Sequence, residues 1–94
     1  MRVQYSKRAV SDIKQIVAYY DRSGNPAVAA RIVARIQEVV AQITGSPLSG
    51  RLVIQRPGVR VLPLVNYRYK LFYRVAGDMI RVIHIRHTSR RSYD

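Results

Sequence analysis

Cysteine is absent. Its absence removes disulfides, thiolate metal sites and cysteine nucleophiles together. The chain is therefore no stapled secreted mini-domain. Acidic residues are scarce, at five Asp plus Glu, and there are two histidines. His84 and His87 alone have a useful ligand spacing, and no carboxylate lies near them in sequence, so no metal site is expected. No run approaches the ~18 apolar residues of a membrane-spanning helix. Met1-Arg2-Val3-Gln4-Tyr5 lacks the apolar core of a signal peptide, and a cytoplasmic protein is the expectation. A Gly-rich phosphate loop, internal repeats and low-complexity tracts are also missing. No Ser-His-Asp order stands out: Asp12, Asp21 and Asp78 fall at a helix start, a helix end and a turn, where local roles account for them. No cofactor is expected.

What remains is a small, strongly basic chain. Its 94 residues make one domain, 1–94. At this size folding hides only ~60–65% of the extended surface, so a partner adds useful stability. The 48% hydrophobic content argues against disorder. Lys plus Arg number 17, for a net charge of +12, and 14 of the 17 are Arg. Guanidinium forks bind phosphate and carboxylate bidentately, so this surplus points to an anionic partner. The plainer alternative is a generally basic surface without a specific ligand.

Val3-Gln4-Tyr5 alternates and precedes Ser6, a good N-cap, which predicts a short strand and then a helix. From Lys7 to Tyr20, Val10, Ile13, Val17 and Tyr20 recur at helical spacing and predict one buried stripe. Arg22-Ser23-Gly24-Asn25-Pro26 breaks it, with Asn25 as a cap and Pro26 at the first helical position. A second helix is expected over about 27–43, with Ala29, Ile32, Val33, Ile36, Val40 and Ile43 inward, ended by Gly45 and Pro47. The short break implies an antiparallel helical hairpin.

From Arg51 the period changes to two. Leu52-Val53-Ile54 reads as a short strand and Pro57-Gly58 as a turn. Pro63 marks the next strand as an edge or a bulge. Tyr67 to Val75 alternates, with Tyr67, Tyr69, Leu71, Tyr73 and Val75 on one face and Arg68, Lys70, Phe72 and Arg74 on the other. Ala76-Gly77-Asp78 is a hairpin loop. Met79 to His87 is a central strand with Ile80, Val82, Ile83 and Ile85 on both faces. The fold class is therefore α+β: an N-terminal strand and an antiparallel helical hairpin packed on a small, mainly antiparallel sheet.

The sheet face away from the helices is the candidate working surface. Arg68, Lys70 and Arg74 share it, with Phe72 as an apolar or stacking element. The plainer reading is a solvated face. Arg51, Arg56 and Arg60 form a second basic group. The stretch from His84 to Tyr93 holds Arg86, Arg90, Arg91, both histidines and Tyr93. Metal-free RNA cleavage needs a base, an acid and cations, and His87, Tyr93, Arg86 and Arg90 could fill those roles. The plainer reading is a basic tail after strand-end histidines. Tyr67, Tyr69 and Tyr73 are expected in the core, and Tyr19 and Tyr20 in the helix packing. Arg60→Ala or Arg86→Ala is expected to weaken an anionic contact and leave the fold intact.

Several strings, in order, resemble the ParE/RelE superfamily of bacterial type II toxins. They are Ser6-x-x-Ala9-x-x-Asp12-Ile13, Ala30-Arg31-Ile32 with Ile36, Ser46 to Arg51, and Pro57-Gly58-Val59-Arg60. Tyr69 to Val75 and Ile83 to Arg90 complete the set. Pro47-x-x-Gly50-Arg51, Gly58-x-Arg60, Tyr73-Arg74-Val75 and His87-x-x-Arg90 are closer to ParE. That resemblance implies a growth-inhibiting toxin acting on DNA gyrase, held by a ParD-like antitoxin in a toxin–antitoxin hetero-oligomer. RelE-like members instead cleave mRNA on the ribosome. That pattern would place Lys70 and Arg90 at the family's basic positions, with Arg86 beside them and His87 as the acid/base group, because Tyr93 lies too near Arg90 to match. Target or antitoxin contacts would fall to Arg51, Arg60, Arg68, Lys70, Arg74, Arg86, Arg90 and Arg91. A non-toxic basic nucleic-acid-binding module is the third alternative.

Overall fold

A computed structural model describes residues 1–88. Strand β1 (Arg2–Tyr5) leads into helices α1 (Lys7–Arg22) and α2 (Pro26–Gly45). The strands β2 (Arg51–Leu52), β3 (Val59–Leu64), β4 (Tyr69–Ala76) and β5 (Met79–His87) follow. They form one sheet in the order β1-β5-β4-β3-β2. β1 runs parallel to β5, and every other pairing is antiparallel. The α+β expectation is thus met, with one parallel edge on an antiparallel sheet.

Ser6 joins helix to sheet. Its hydroxyl accepts the Ala9 N–H (3.0 Å) and donates to the Ile83 carbonyl (2.7 Å). One hydroxyl therefore caps α1 and anchors its start to β5. The buried line of α1 is not the expected one. Ala9 and Ile16 are in the core, Ile13 and Tyr20 pack against it, and Val10 is 39% exposed. Ala9, Ile13, Ile16 and Tyr20 make an equally good helical line, rotated by about one residue. α2 buries Ala29, Ile32, Ile36, Val39, Val40 and Ile43, with Val33 only partly covered. Asn25 does not cap through its side chain, which donates to the Ser23 carbonyl instead. Pro26 at the start of α2 needs no partner for a missing N–H. Tyr19 was expected in the hairpin packing. It is 55% exposed and touches Tyr20 edge-on.

The sheet departs from expectation in three places. β2 is only Arg51–Leu52, and Ile54 stands 89% exposed in the turn that follows. β4 begins at Tyr69, because Val65 to Arg68 form a turn with Asn66 in left-handed backbone (φ 75°). Asn tolerates that conformation better than other non-glycine residues. The hairpin to β5 needs only Gly77 and Asp78, and Gly77 (φ 60°) supplies the positive φ of a II′ turn. Pro63 lies within β3, where β2 pairs only with Arg60 and Val61, so the chain is a sheet edge at that point.

A register shift between Phe72 and Tyr73 explains the two-faced pattern of β5. Val82 pairs with Tyr73 and His84 with Phe72, leaving Ile83 as the extra residue of a bulge. Ile80, Val82 and Ile85 thereby all join the helix-side core with Tyr69, Leu71 and Tyr73. Tyr73 is fully buried. Its hydroxyl donates to Pro47 O and accepts from Gly50 N–H, both at 2.8 Å, pinning the loop after α2. Gly50 sits so close to that ring that an added Cβ would lie 2.6 Å from the hydroxyl.

Candidate anion-binding face

Period-two registers sort the cations by face. Arg74 lies opposite Arg81, and Lys70 opposite Arg86. Both pairs share the face of Phe72, away from the helices. Arg51 joins them through its partner Val61, and Arg2 through Met79. Like charges directly across an antiparallel pair repel, so two Arg/Lys pairs on one face favour an anionic partner. Arg2 and Arg81 were missed in the sequence. Arg81 could have been found by counting back from the hairpin at Gly77-Asp78.

The face is not bare. Phe72 was expected as an exposed stacking element, yet it is 2% exposed. It packs with Val53, Val59 and Val61, and Ile83 leans on them. Val53 closes this second cluster from the loop after β2, held by its N–H on the Val59 carbonyl at 2.9 Å. The expectation of a vacant face is therefore corrected: its centre is apolar and self-covered. Three β-branched valines around one ring make a packed patch that excludes water. The cations stand at either end, Arg74 and Arg81 toward the hairpin and Lys70 and Arg86 toward the other end. Near the latter, a shallow cleft is lined by Ser49, Arg51, Val61, Pro63 and Lys70.

Other candidate residues divide. Arg60 lies on the opposite face from Arg51 and reaches the loop after α2. Its Nη1 donates to Gly50 O (2.8 Å) and Leu48 O (3.2 Å). Arg60 thus has a partner within the chain, a role in holding that loop that its charge alone did not announce. Arg68 belongs to the turn before β4, and its carbonyl accepts the Thr88 N–H. Arg56 lies in the β2–β3 turn. Arg74 reaches weakly toward Pro57 O (3.5 Å). His87 pairs with Tyr69, on the helix side, and meets that ring edge-on at 5.1 Å. Lys70 and Arg86 on the one hand and His87 on the other are thereby split between faces. Arg90, Arg91 and Tyr93 lie outside the described residues.

His84 overturns a further expectation. Its Nδ1 lies 2.6 Å from Asp12 Oδ2, although the two residues are 72 positions apart. The same carboxylate oxygen accepts the Ile85 N–H at 2.9 Å. Asp12 therefore has a tertiary role, closing the edge of β5 where β1 ends. Phe72 stacks on the His84 ring at 5.8 Å and 22°. Nothing local in the sequence announces this pair. Among the described residues, no group of three or more His, Cys, Asp or Glu could hold a metal ion.

Comparison with known proteins places this arrangement. The sequence model for the ParE toxin of the type II toxin–antitoxin system parDE matches residues 3–92. The chain belongs to the ParE toxin family. Y4kP of Sinorhizobium fredii, a toxin candidate by its name, is 34% identical over 82 residues, covering 83% of this chain and 79% of Y4kP. A chain from the chromosomal ParDE system of P. aeruginosa superposes with a TM-score of 0.78 at 27% identity, over 93% of this chain and 95% of that one. The isolated E. coli RelE toxin shares the fold, with a TM-score of 0.65 at 17% identity, over 97% of this chain and 86% of RelE. In this ParE-family chain no helix among the described residues is long and apolar enough to cross a membrane.

Proposed function

We propose that this ParE-family chain arrests growth by binding DNA gyrase through its cationic sheet face, and that a cognate ParD-like antitoxin neutralises it in the cytoplasm. The observation that carries this reading is the likeness to the P. aeruginosa ParDE chain. It spans nearly the whole of both chains and holds at 27% identity, whereas the likeness to RelE is one of fold alone. Arg51, Lys70, Arg74 and Arg86 are the residues assigned to the target, and Arg90 and Arg91 extend the same charge along the sequence. Arg60 acts by shaping the neighbouring loop. An acidic antitoxin segment would both neutralise this charge and add stability to a small domain.

The facing pair Lys70 and Arg86 supports a second reading, metal-free cleavage of mRNA on the ribosome. The position of His87 on the other face weighs against it. Gyrase supercoiling and primer extension on mRNA, run in one extract, separate the two. Loss of supercoiling with intact message is expected. Codon-phased cuts that vanish in His87→Ala would overturn the gyrase reading.

A further inference from the structure

The outer side of the helical hairpin, turned away from the sheet, carries a shallow groove between its two helices. Val17 and Asp21 of α1 line it, with Pro26, Ala30, Val33 and Ala34 of α2. Val17 and Val33 are half-buried there, and Val10, two turns before Val17, is 39% exposed. Valines left partly in water gain from being covered. The charged residues of α2 and of the groove are Arg31, Arg35, Glu38 and Asp21, two of each sign. The chain as a whole carries +12, so this is a place where its charge balances.

The exposed arc of α2 is symmetric about Ala34. At about 100° per residue, Ala27 and Ala41 lie two turns to either side of Ala34 and within about 20° of its direction. All three are exposed, as are Ala30, Arg31, Gln37 and Glu38. Arg31 and Glu38 stand on one flank of Ala34, and Ala30 and Gln37 on the other, each about 40–60° away. A second α2 laid antiparallel across the first, with a twofold axis at Ala34, sets Ala34 against Ala34 and Ala27 against Ala41. The same axis brings Arg31 of each helix to Glu38 of the other. On the opposite flank Gln37 of the second copy meets Ala30 and covers the groove, where Asp21 offers a carboxylate to its amide.

We propose that the outer face of the hairpin is a self-association surface, on which a second copy of this chain packs α2 against α2 and exchanges two Arg31–Glu38 ion pairs. A twofold interface requires a patch that complements itself, and here the register of charges does so. Glu38 lies 3.6 Å from Arg35 of its own helix and keeps 64% of its side chain exposed. Its carboxylate is thus held in place and open to a second guanidinium. Alanine at the crossing lets the helix axes approach closely. An acidic peptide is the disfavoured occupant, because balanced charge gives it no attraction, whereas two strongly basic chains meet with least repulsion there. The contact along α2 is at most about 30 Å long, so the dimer belongs to the small, transient class. The sheet lies behind the helices, so both cationic sheet faces stay outward when two copies pair.

The test is sedimentation equilibrium on the intact chain at about 0.15 M salt, where long-range repulsion is screened. A monomer–dimer equilibrium at about 10–100 µM is expected. Glu38→Arg sets Arg against Arg twice and should weaken pairing at least about tenfold, as should Arg31→Glu. The double variant Arg31→Glu with Glu38→Arg exchanges the partners, keeps an acid within one turn of Arg35, and should restore pairing. All these positions are exposed, and circular dichroism checks that each variant folds. A second measurement uses the absence of native cysteine. With diamide as oxidant, Ala34→Cys should link two copies across the axis, and Ala41→Cys, which faces Ala27, should not. A wild-type mass that stays monomeric at about 1 mM, a folded double variant that fails to pair, or equal cross-linking at the two positions would overturn the proposal. Ala34→Lys should leave binding of the cognate antitoxin unchanged; its loss, with a wild-type chain that stays monomeric, would assign this face to the antitoxin and overturn self-association.

Discussion

The two faces of this sheet are both apolar at their centres, and they differ in what surrounds the centre. On the helix side, Leu71, Tyr73, Ile80 and Val82 are covered by α1 and α2, and the large side chains there are fully buried. On the far side, Phe72, Val59, Val61 and Val53 make a cluster of four buried residues ringed by arginine and lysine. The first face carries the domain's stability. The second uses a small self-covered patch to hold cations apart at the two ends of the sheet. Hydrophobic burial without a covering layer of helices thus leaves the described part of this face with an apolar centre and cations at its two ends.

Substitutions on each face should separate these roles. Leu71→Ala is expected to cost about 2–5 kcal/mol, read from urea unfolding, because it opens a cavity between sheet and helices. Val61→Ala, in the smaller cluster, should cost only about 2 kcal/mol; an equal loss at the two positions would erase the distinction in stability. Gly50→Ala forces a methyl against the Tyr73 hydroxyl and should cost about 1–3 kcal/mol. Pairing it with Tyr73→Phe tests whether the clash or the lost hydrogen bond dominates. Arg81→Ala should leave stability within about 0.5 kcal/mol while weakening binding of an anionic partner at low salt, where exposed charge contacts are strongest. The smallest effect is at Tyr5. Burial pushes its phenol above the usual 10.0. The neutral form is favoured in the folded state, so this contribution is present below pH 10 and fades as pH rises through the elevated value. Tyr5→Phe should flatten part of the stability loss seen by circular dichroism above that pH.

Most of the layout was legible because it rests on periodicity. The helical hairpin, the tyrosine face of β4 and the edge position of Pro63 followed from spacing. Features that depend on phase or on distant partners were not. Val10 and Ala9 lie on neighbouring helical lines, and only the packing of α1 against β5 decides which goes inward. The bulge at Ile83 shifts β5 by one residue, so a strand that seems apolar on both faces feeds a single core and leaves one residue for the other cluster. Phe72 reads as a ligand-stacking ring among Arg68, Lys70 and Arg74, but Val53 arrives from 19 positions away to bury it. The Asp12–His84 pair closes a separation of 72 residues, beyond the reach of any local motif. The cations were easy to count, and their faces could be assigned only once registers were known.

Growth arrest by two charge-matched double variants, expressed at equal levels in a host without the antitoxin, tests the central claim most directly. Lys70→Gln with Arg86→Gln removes two cations from the far face, and Arg22→Gln with Arg31→Gln removes two from the helices. The far-face variant should restore growth while the helix variant still arrests it. Restored growth from the helix variant, with continued arrest from the far-face variant, would contradict the assignment of the toxin's working surface to the cationic side of the sheet.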